Sequence, residues 1–332
     1  MIQPLIVGAG SWGTAFAQVI ADADHDCLVW SRDQKIITEI NQMHTNQSYH
    51  PEIRLPKRIT ATGDIQAALA KSTHVFLTIP AQALRPALRE WRNFFKPEVQ
   101  LISLIKGLEL QTDFRMSEVI KEELKVDDDQ ITIISGPNLA TEIIQRQPTA
   151  TTIACTDLKN AEDISHYFAS EYFRPFWGSD VIGTEIAGVT KNVIAIANGI
   201  AVGLGLGENT QSSVITRGLA EMSRLGLAMG AKIETFLGLA GIGDLIATSQ
   251  SPLSRNRTFG KLLGEGYSVA QAQAAVKRTV EGAKSAQPLV EIAQRLNVEI
   301  PIGEQIAKVV AGEVSADTAI ATLLSQALTK EH

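Results

Sequence analysis

The sequence predicts an α/β protein, with a mostly parallel sheet in residues 1–183 and an all-helical half in residues 184–332. Three observations carry that expectation. Short apolar runs alternate with amphipathic segments through the first half, as in sheets covered on both faces. A Gly-x-Gly-x-x-Gly pattern at Gly8, Gly10 and Gly13 joins an apolar run to a helix-like segment. Past Gly183 the strand signals fade and long helical segments take over. A chain of 332 residues is also long for one core and fits two domains.

In chain order, Leu5-Ile6-Val7 reads as the first strand. Pro4 cannot donate to a ladder, so this strand is expected to be short and to begin at or after Leu5. Gly8 allows the turn, Gly10 lets the backbone approach a pyrophosphate, and Gly13 brings the helix close to the sheet. Together they make a Rossmann-type dinucleotide fingerprint. The pyrophosphate would sit at the N-terminus of a helix over 11–21, where unpaired N–H groups and the dipole favour an anion. Residues 27–30 form the second strand. At the end of such a strand an acidic residue takes the ribose 2′-hydroxyl of NAD, or an Arg meets the 2′-phosphate of NADP. Ser31-Arg32 leans towards NADP(H), and Asp33 lies close enough to blur that preference. Ser31 or Asp33 can also cap the next helix, whose Ile36, Ile37, Ile40 and Met43 show a 3.6-residue stripe.

Residues 41–58 are polar and irregular, which predicts a surface loop. Asp64 then caps a short helix ending at Lys71. A buried-type strand over 74–79 stops at Pro80. The helix after it carries Leu84, Leu88 and Trp91 on one face, with Pro86 near its start. Strand 99–105 ends in Lys106-Gly107, and strand 131–134 ends in Ser135-Gly136-Pro137-Asn138. In an open α/β sheet ligands bind outside the carboxyl ends of strands, so both places are candidates. A Lys at a strand end is most often a solvated terminus. Two further strands, 149–155 and 173–177, flank a helix over 157–170.

In the second half, Lys191 is the only charged residue between Glu185 and Glu208. Lys191 and Asn192 interrupt the run and glycines crowd its end, so a buried core helix is expected, without stable membrane insertion. An ammonium there needs a partner or a lowered pKa. Lys191 is either a tuned general acid/base or a lysine whose head escapes to water. Asp244 follows three glycines in Gly238-Leu239-Ala240-Gly241-Ile242-Gly243, where it can orient another polar group or cap a helix. Arg255-Asn256-Arg257 is the densest basic cluster, and guanidinium groups match phosphate bidentately. A solvated helix end is the alternative. From Val269 the chain reads as amphipathic helices.

The formal net charge of −6 argues against general nucleic-acid binding, so an anionic substrate needs a local basic cluster. Two cysteines give no disulfide framework, and the scattered histidines give no metal-ligand spacing; no metal is expected. A reducing, cytoplasmic setting follows from that cysteine usage and from an N-terminus without signal-peptide features. The sequence leaves a homodimer open.

Five stretches in order bear a family likeness: Gly8-Ala9-Gly10-Ser11-Trp12-Gly13-Thr14-Ala15, Ile105-Lys106-Gly107-Leu108-Glu109, Lys191-Asn192-Val193-Ile194-Ala195-Ile196, the glycine loop ending in Asp244-Leu245, and Ser254-Arg255-Asn256-Arg257. Over nearly its whole length the chain closely resembles the bacterial NAD(P)-dependent sn-glycerol-3-phosphate dehydrogenase family. That resemblance implies a Rossmann domain and a helical substrate-binding domain. The implied reaction is reversible reduction of dihydroxyacetone phosphate to sn-glycerol 3-phosphate, the entry to glycerophospholipid synthesis. By the same likeness Ser11, Trp12, Arg32, Lys106, Ala140, Arg255, Thr279 and Glu281 contact the cofactor, NADP preferred over NAD. Lys106, Gly136, Asn138, Ser254, Arg255 and Asn256 line the substrate. Lys191 is the proton donor and acceptor, with Asp244 holding it or the substrate. Asn138 stands where the family usually has Ser or Thr, and Ser249 where Cys is common.

Overall fold

The computed structural model describes residues 2–277 and 279–325. The chain divides between Glu185 and Ile186 into two compact units. The first holds one eight-stranded sheet: β1 Pro4–Val7, β2 Cys27–Trp30, β3 Ile59–Thr62, β4 His74–Leu77, β5 Gln100–Ser103, β6 Ile131–Ser135, β7 Thr149–Cys155 and β8 Phe173–Gly178. Their order is β3-β2-β1-β4-β5-β6-β7-β8. All neighbours run parallel except β6 and β7. The order reverses at β1, which lies between β2 and β4. A crevice at such a switch point, outside the carboxyl ends of the strands, is where ligands bind in open α/β sheets.

The central strands β1 and β4 are apolar but for His74 because both faces are covered. Ile6 and Phe76 point into a cluster with Phe16, Phe168 and Phe173 on one face. Leu5, Val7, Val75 and Leu77 point the other way, into a cluster with Leu84, Leu88 and Trp91. The alternation along β1 and β4 is the two-residue period of a strand. Leu84, Leu88 and Trp91 lie on the helix Ala81–Trp91, which carries Pro86.

Three expectations need correction. β1 begins at Pro4, one residue early, because Pro4 pairs only with β4, opposite His74, while pairing with β2 starts at Leu5. A first strand residue needs no donor on both sides. The stripe 36–43 breaks because the helix Gln34–Thr38 gives way to a π-turn, Glu39–Met43. The extra residue per turn shifts the phase, so Ile36, Ile37 and Ile40 are buried and Met43 is 62% exposed. Finally, β3 follows the 41–58 loop although nothing marked it. Only Ile59 and Ala61 of its four residues face the core.

The second unit is helical. The long helix Val181–Gly203, which belongs to it from Ile186 on, is, among the described residues, the one long and apolar enough to cross a membrane, and it is mostly buried inside the protein. Its glycines explain the crowding. A Cβ on Gly199 would collide with the Arg257 carbonyl, and one on Gly260 with that of Ile196. The helix therefore packs backbone to backbone against Arg255–Gly264, whose first residue is Arg255. Such close approach is open only to glycine. The helices Glu208–Ala228, Asp244–Gln250, Glu281–Arg295 and Pro301–Ala311 complete the larger part of this unit.

Candidate functional site

In the first unit the glycine turn leaves β1 and enters the helix Ser11–Asp22. Gly8 has φ +117°, and a Cβ there would press on Thr78 Oγ1 at 2.8 Å. A Cβ on Gly13 would collide with the Gly8 carbonyl oxygen, so the helix can meet the turn only with glycine at 13. Gly10 differs, because a Cβ built there meets nothing within 4 Å. That open space lies at the N-terminus of a 12-residue helix whose N-cap, Gly10, offers no side-chain partner to the first N–H groups. The residues present thus fit a pyrophosphate: space beside Gly10, first-turn amides that no N-cap side chain meets, and the positive end of a dipole. Ser11 and Trp12 are half-buried at this helix start.

At the end of β2, Arg32 is exposed, while Ser31 is buried and accepts from Asp33 N at 3.1 Å. Asp33 Oδ1 accepts from Lys35 N at 2.9 Å, which makes Asp33 the helix cap. Between the two candidate residues after β2, Asp33 is engaged locally and Arg32 reaches solvent.

Lys106 and Gly136 are brought together. Lys106 Nζ donates to the Gly136 carbonyl at 3.0 Å, so the ends of β5 and β6 converge. Gly136 has φ +152°, where a side chain would be strained, and a Cβ there would sit tightly against Thr151 at 3.1 Å. Asn138 Nδ2 donates to Thr151 Oγ1 at 2.8 Å, and its Oδ1 is buried without a hydrogen-bond partner. Ala140 opens the short helix Ala140–Ile144.

The second unit carries a closed cluster around Lys191. Lys191 is only 7% exposed, so its head does not escape to water. Its Nζ donates to Asp244 Oδ1 at 3.0 Å and to Thr248 Oγ1 at 2.6 Å. Thr248 Oγ1 in turn donates to Asp244 Oδ1 at 3.1 Å. Asp244 is not a cap; the N-cap is Gly243, with no side-chain bond, and the Asp244 carboxylate turns to the lysine. A buried ammonium needs such pairing. Sequence reading missed Thr248. Its signal was position i+4 from Asp244, which puts both side chains on one helix face.

The basic cluster divides in function. Ser254 caps its helix, accepting from Arg257 N at 3.2 Å. Arg255 is exposed and donates to the Thr279 carbonyl at 3.0 Å. Asn256 is buried: its Nδ2 donates to Asn192 Oδ1 at 2.8 Å, and its Oδ1 accepts from Gly282 N at 3.0 Å. Asn256 therefore ties the residue after Lys191 to the residue after Glu281. Burial raises the Glu281 pKa, and the positive charges of Lys284 and Arg255 partly oppose that rise. Arg255 thus lies near both Thr279 and Glu281.

A glycine-turn Rossmann sheet and a helical unit with a buried Lys–Asp–Thr cluster define a nicotinamide-dinucleotide dehydrogenase. Comparison with known proteins specifies it. Models of the NAD-dependent glycerol-3-phosphate dehydrogenase N-terminus and C-terminus match residues 5–161 and 180–321. The chain belongs to that family. A glycerol-3-phosphate dehydrogenase (NAD(P)+) of Streptomyces griseus subsp. griseus is 46% identical over 331 residues, spanning 100% of this chain and 98% of its own. One from Corynebacterium diphtheriae is 51% identical over 298 residues, 90% of each chain. The crystal structure of glycerol-3-phosphate dehydrogenase from Coxiella burnetii superposes with TM-score 0.92 at 34% identity, covering 98% of this chain and 99% of that one.

Proposed function

We propose that the protein reversibly reduces dihydroxyacetone phosphate to sn-glycerol 3-phosphate with NADPH in preference to NADH, and that Lys191 is its general acid/base. It is an NAD(P)-dependent oxidoreductase acting on a small molecule, as its family is. The observation that carries the assignment is the buried Lys191–Asp244–Thr248 cluster.

The turn at Gly8, Gly10 and Gly13, with Ser11 and Trp12, would hold the pyrophosphate and adjoining parts of the dinucleotide. Arg32 would meet the 2′-phosphate, and Asp33, occupied as a cap, competes little for a ribose hydroxyl. When bound, the reduced nicotinamide supplies a hydride to the substrate's C2 carbonyl. Negative charge then grows on the carbonyl oxygen. The Lys191 ammonium stabilises that charge and delivers the proton; neutral Lys191 takes it back in the oxidative direction. Asp244 and Thr248 fix the direction of Lys191 Nζ and compensate its charge in a buried setting. Lys106, Gly136 and Asn138 would line the substrate, with Ala140 beside the cofactor. Arg255 at the helix start, with Ser254 and Asn256, would clasp the phosphate, whose binding energy orients C2. Thr279 and Glu281 would close on the nucleotide.

The product would supply glycerophospholipid synthesis. The cytoplasm suits two buried, unpaired cysteines, Cys27 and Cys155. Exposed Leu227, Ile233 and Leu237 support a homodimer. A monomeric mass by light scattering would dismiss it. The reaction itself is tested by NADPH oxidation with and without dihydroxyacetone phosphate. Oxidation that does not depend on that ketone would overturn the assignment.

A further inference from the structure

Each carbonyl of the glycine turn from Val7 to Ser11 accepts a hydrogen bond from the protein. Thr78 N donates to Val7 O at 3.1 Å, Thr78 Oγ1 to Gly8 O at 2.9 Å, and Thr14 N to Gly10 O at 2.9 Å. Those donors come from β4's end and from the helix itself. The other two carbonyls also accept from a separate segment, the turn 44–50, Ala9 O in addition to a longer bond of 3.4 Å from Thr14 Oγ1. Asn46 Nδ2 donates to Ala9 O at 3.0 Å and to Thr14 Oγ1 at 2.9 Å. His50 Nε2 lies 2.8 Å from Ser11 O and 3.3 Å from Ser11 Oγ. A carbonyl cannot donate, so the Nε2–H is what meets Ser11 O.

The turn 44–50 is built to deliver those two side chains. Asn46 is fully buried and His50 is 3% exposed. Tyr49 N and His50 N both donate to Asn46 O, closing the turn on itself. From the other side, Glu39 Oε1 accepts from Gln47 N at 3.0 Å and from Thr45 Oγ1 at 3.2 Å. Asn46 Oδ1 meanwhile is buried and accepts nothing. The opposite amide orientation would set Oδ1 against Ala9 O, two acceptors face to face, which excludes it. A side chain that leaves one buried acceptor unsatisfied is a poor choice for packing alone. Its place makes sense if the two donated bonds serve the turn.

We propose that Asn46 and His50 are positioning residues for the dinucleotide, a clamp on the carbonyl edge of the glycine turn. Together with the bonds the helix itself supplies, the clamp holds the Ala9–Gly10 and Ser11–Trp12 peptides against a rotation that would present oxygen to an incoming phosphate. The N–H edge is thereby preorganised before the anion arrives, which lowers the ordering cost of binding. The clamp rests on the dinucleotide reading above. Its bonds go to Ala9, Ser11 and Thr14, none of them assigned to the substrate, so it acts on cofactor affinity and not on the chemical step.

The test is NADPH affinity, measured by fluorescence titration on Asn46→Ala, Asn46→Asp, His50→Ala and His50→Gln alongside the wild type. Loss of one such bond should weaken NADPH binding about tenfold. Asn46→Asp, which turns a carboxylate oxygen to Ala9 O, should lose more than Asn46→Ala. His50→Gln retains an N–H donor and should recover much of the loss in His50→Ala. In turnover the KM for NADPH should rise with kcat at saturating cofactor held, and the KM for dihydroxyacetone phosphate should stay put. Should an Asn46 variant fail to fold, the His50 pair, whose bonds to Ser11 are only part-buried, decides. Wild-type affinity in His50→Ala, or a kcat loss without a rise in KM for NADPH, overturns the clamp. Failure of the wild type to bind NADPH at all would instead overturn the dinucleotide reading.

Discussion

Lys191 is paired rather than solvated, and the pairing shapes what its removal will do. Lys191→Met keeps length and removes the charge, so kcat should drop at least about 10²-fold. It also takes the ammonium away from the buried Asp244 carboxylate, which Thr248 neighbours. Breaking a buried ion pair costs about 3–5 kcal/mol when one charge is left behind. The melting temperature of Lys191→Met should therefore fall, and Asp244→Asn added to it should restore much of the stability and none of the activity. A double variant that stays as unstable as the single one would show that the charge of Asp244 is not the cause. Arg32 presents a second case. Charge-assisted hydrogen bonds are worth about 1.5–3 kcal/mol, so Arg32→Ala should raise the KM for NADPH about tenfold or more and spare NADH. Equal losses for both cofactors would make Arg32 structural.

Among the elements, the helix Pro301–Ala311 starts on a carboxylate from another helix. Glu221, on Glu208–Ala228, accepts from Ile302 N at 2.8 Å and Gly303 N at 3.2 Å. Burial pushes its pKa from 4.5 up to about 7, although those two amides pull it down. A folded pKa above the unfolded one means that the folded state holds the proton more tightly. The contribution is full below pH 4.5 and is lost as pH rises through about 7, on the order of 3 kcal/mol in all. Glu221→Gln cannot ionise, so its stability should change less between pH 5 and 8 in chemical denaturation. An unchanged pH slope would remove Glu221 as the source. Such a cap was invisible in the sequence, because Glu221 and Ile302 meet only through tertiary packing. The same holds for β3, whose Ile59 and Ala61 give too short an alternation, and for Asn46, whose partner Ala9 lies far off in sequence. Legible elements had local causes. Asp64 and Asp33 cap the helices that follow them, and Gly8, Gly10 and Gly13 announce a turn whose sterics are their own. Lys191 stood out by its isolation in an apolar run, while Thr248 became visible only once Asp244 was known to face it.

At the scale of the whole molecule, the net charge of −6 gives anionic ligands no general attraction, so local cations must overcome it. Arg32 and Lys106 lie in the first unit and Arg255 in the second. Arg255 is exposed at the first turn of its helix, where dipole and guanidinium both favour a phosphate. Dihydroxyacetone phosphate should accordingly be reduced far faster than dihydroxyacetone. Arg255→Ala should cost on the order of 3 kcal/mol in kcat/KM for the phosphorylated substrate, as expected for truncating one member of a charge pair. Dihydroxyacetone has no phosphate to lose and should be barely affected. The variant also gives up the bond to Thr279 O and the charge that opposes the rise in the Glu281 pKa. Damage through those routes would slow both substrates by the same factor, whereas loss of a phosphate contact slows only one. Added phosphite should raise turnover of dihydroxyacetone by the wild type more than by Arg255→Ala, because remote binding energy acts on kcat as well as KM. Equal slowing of the two ketones, with phosphite acting alike on both proteins, would reassign Arg255 from the substrate phosphate to the support of Thr279 and Glu281.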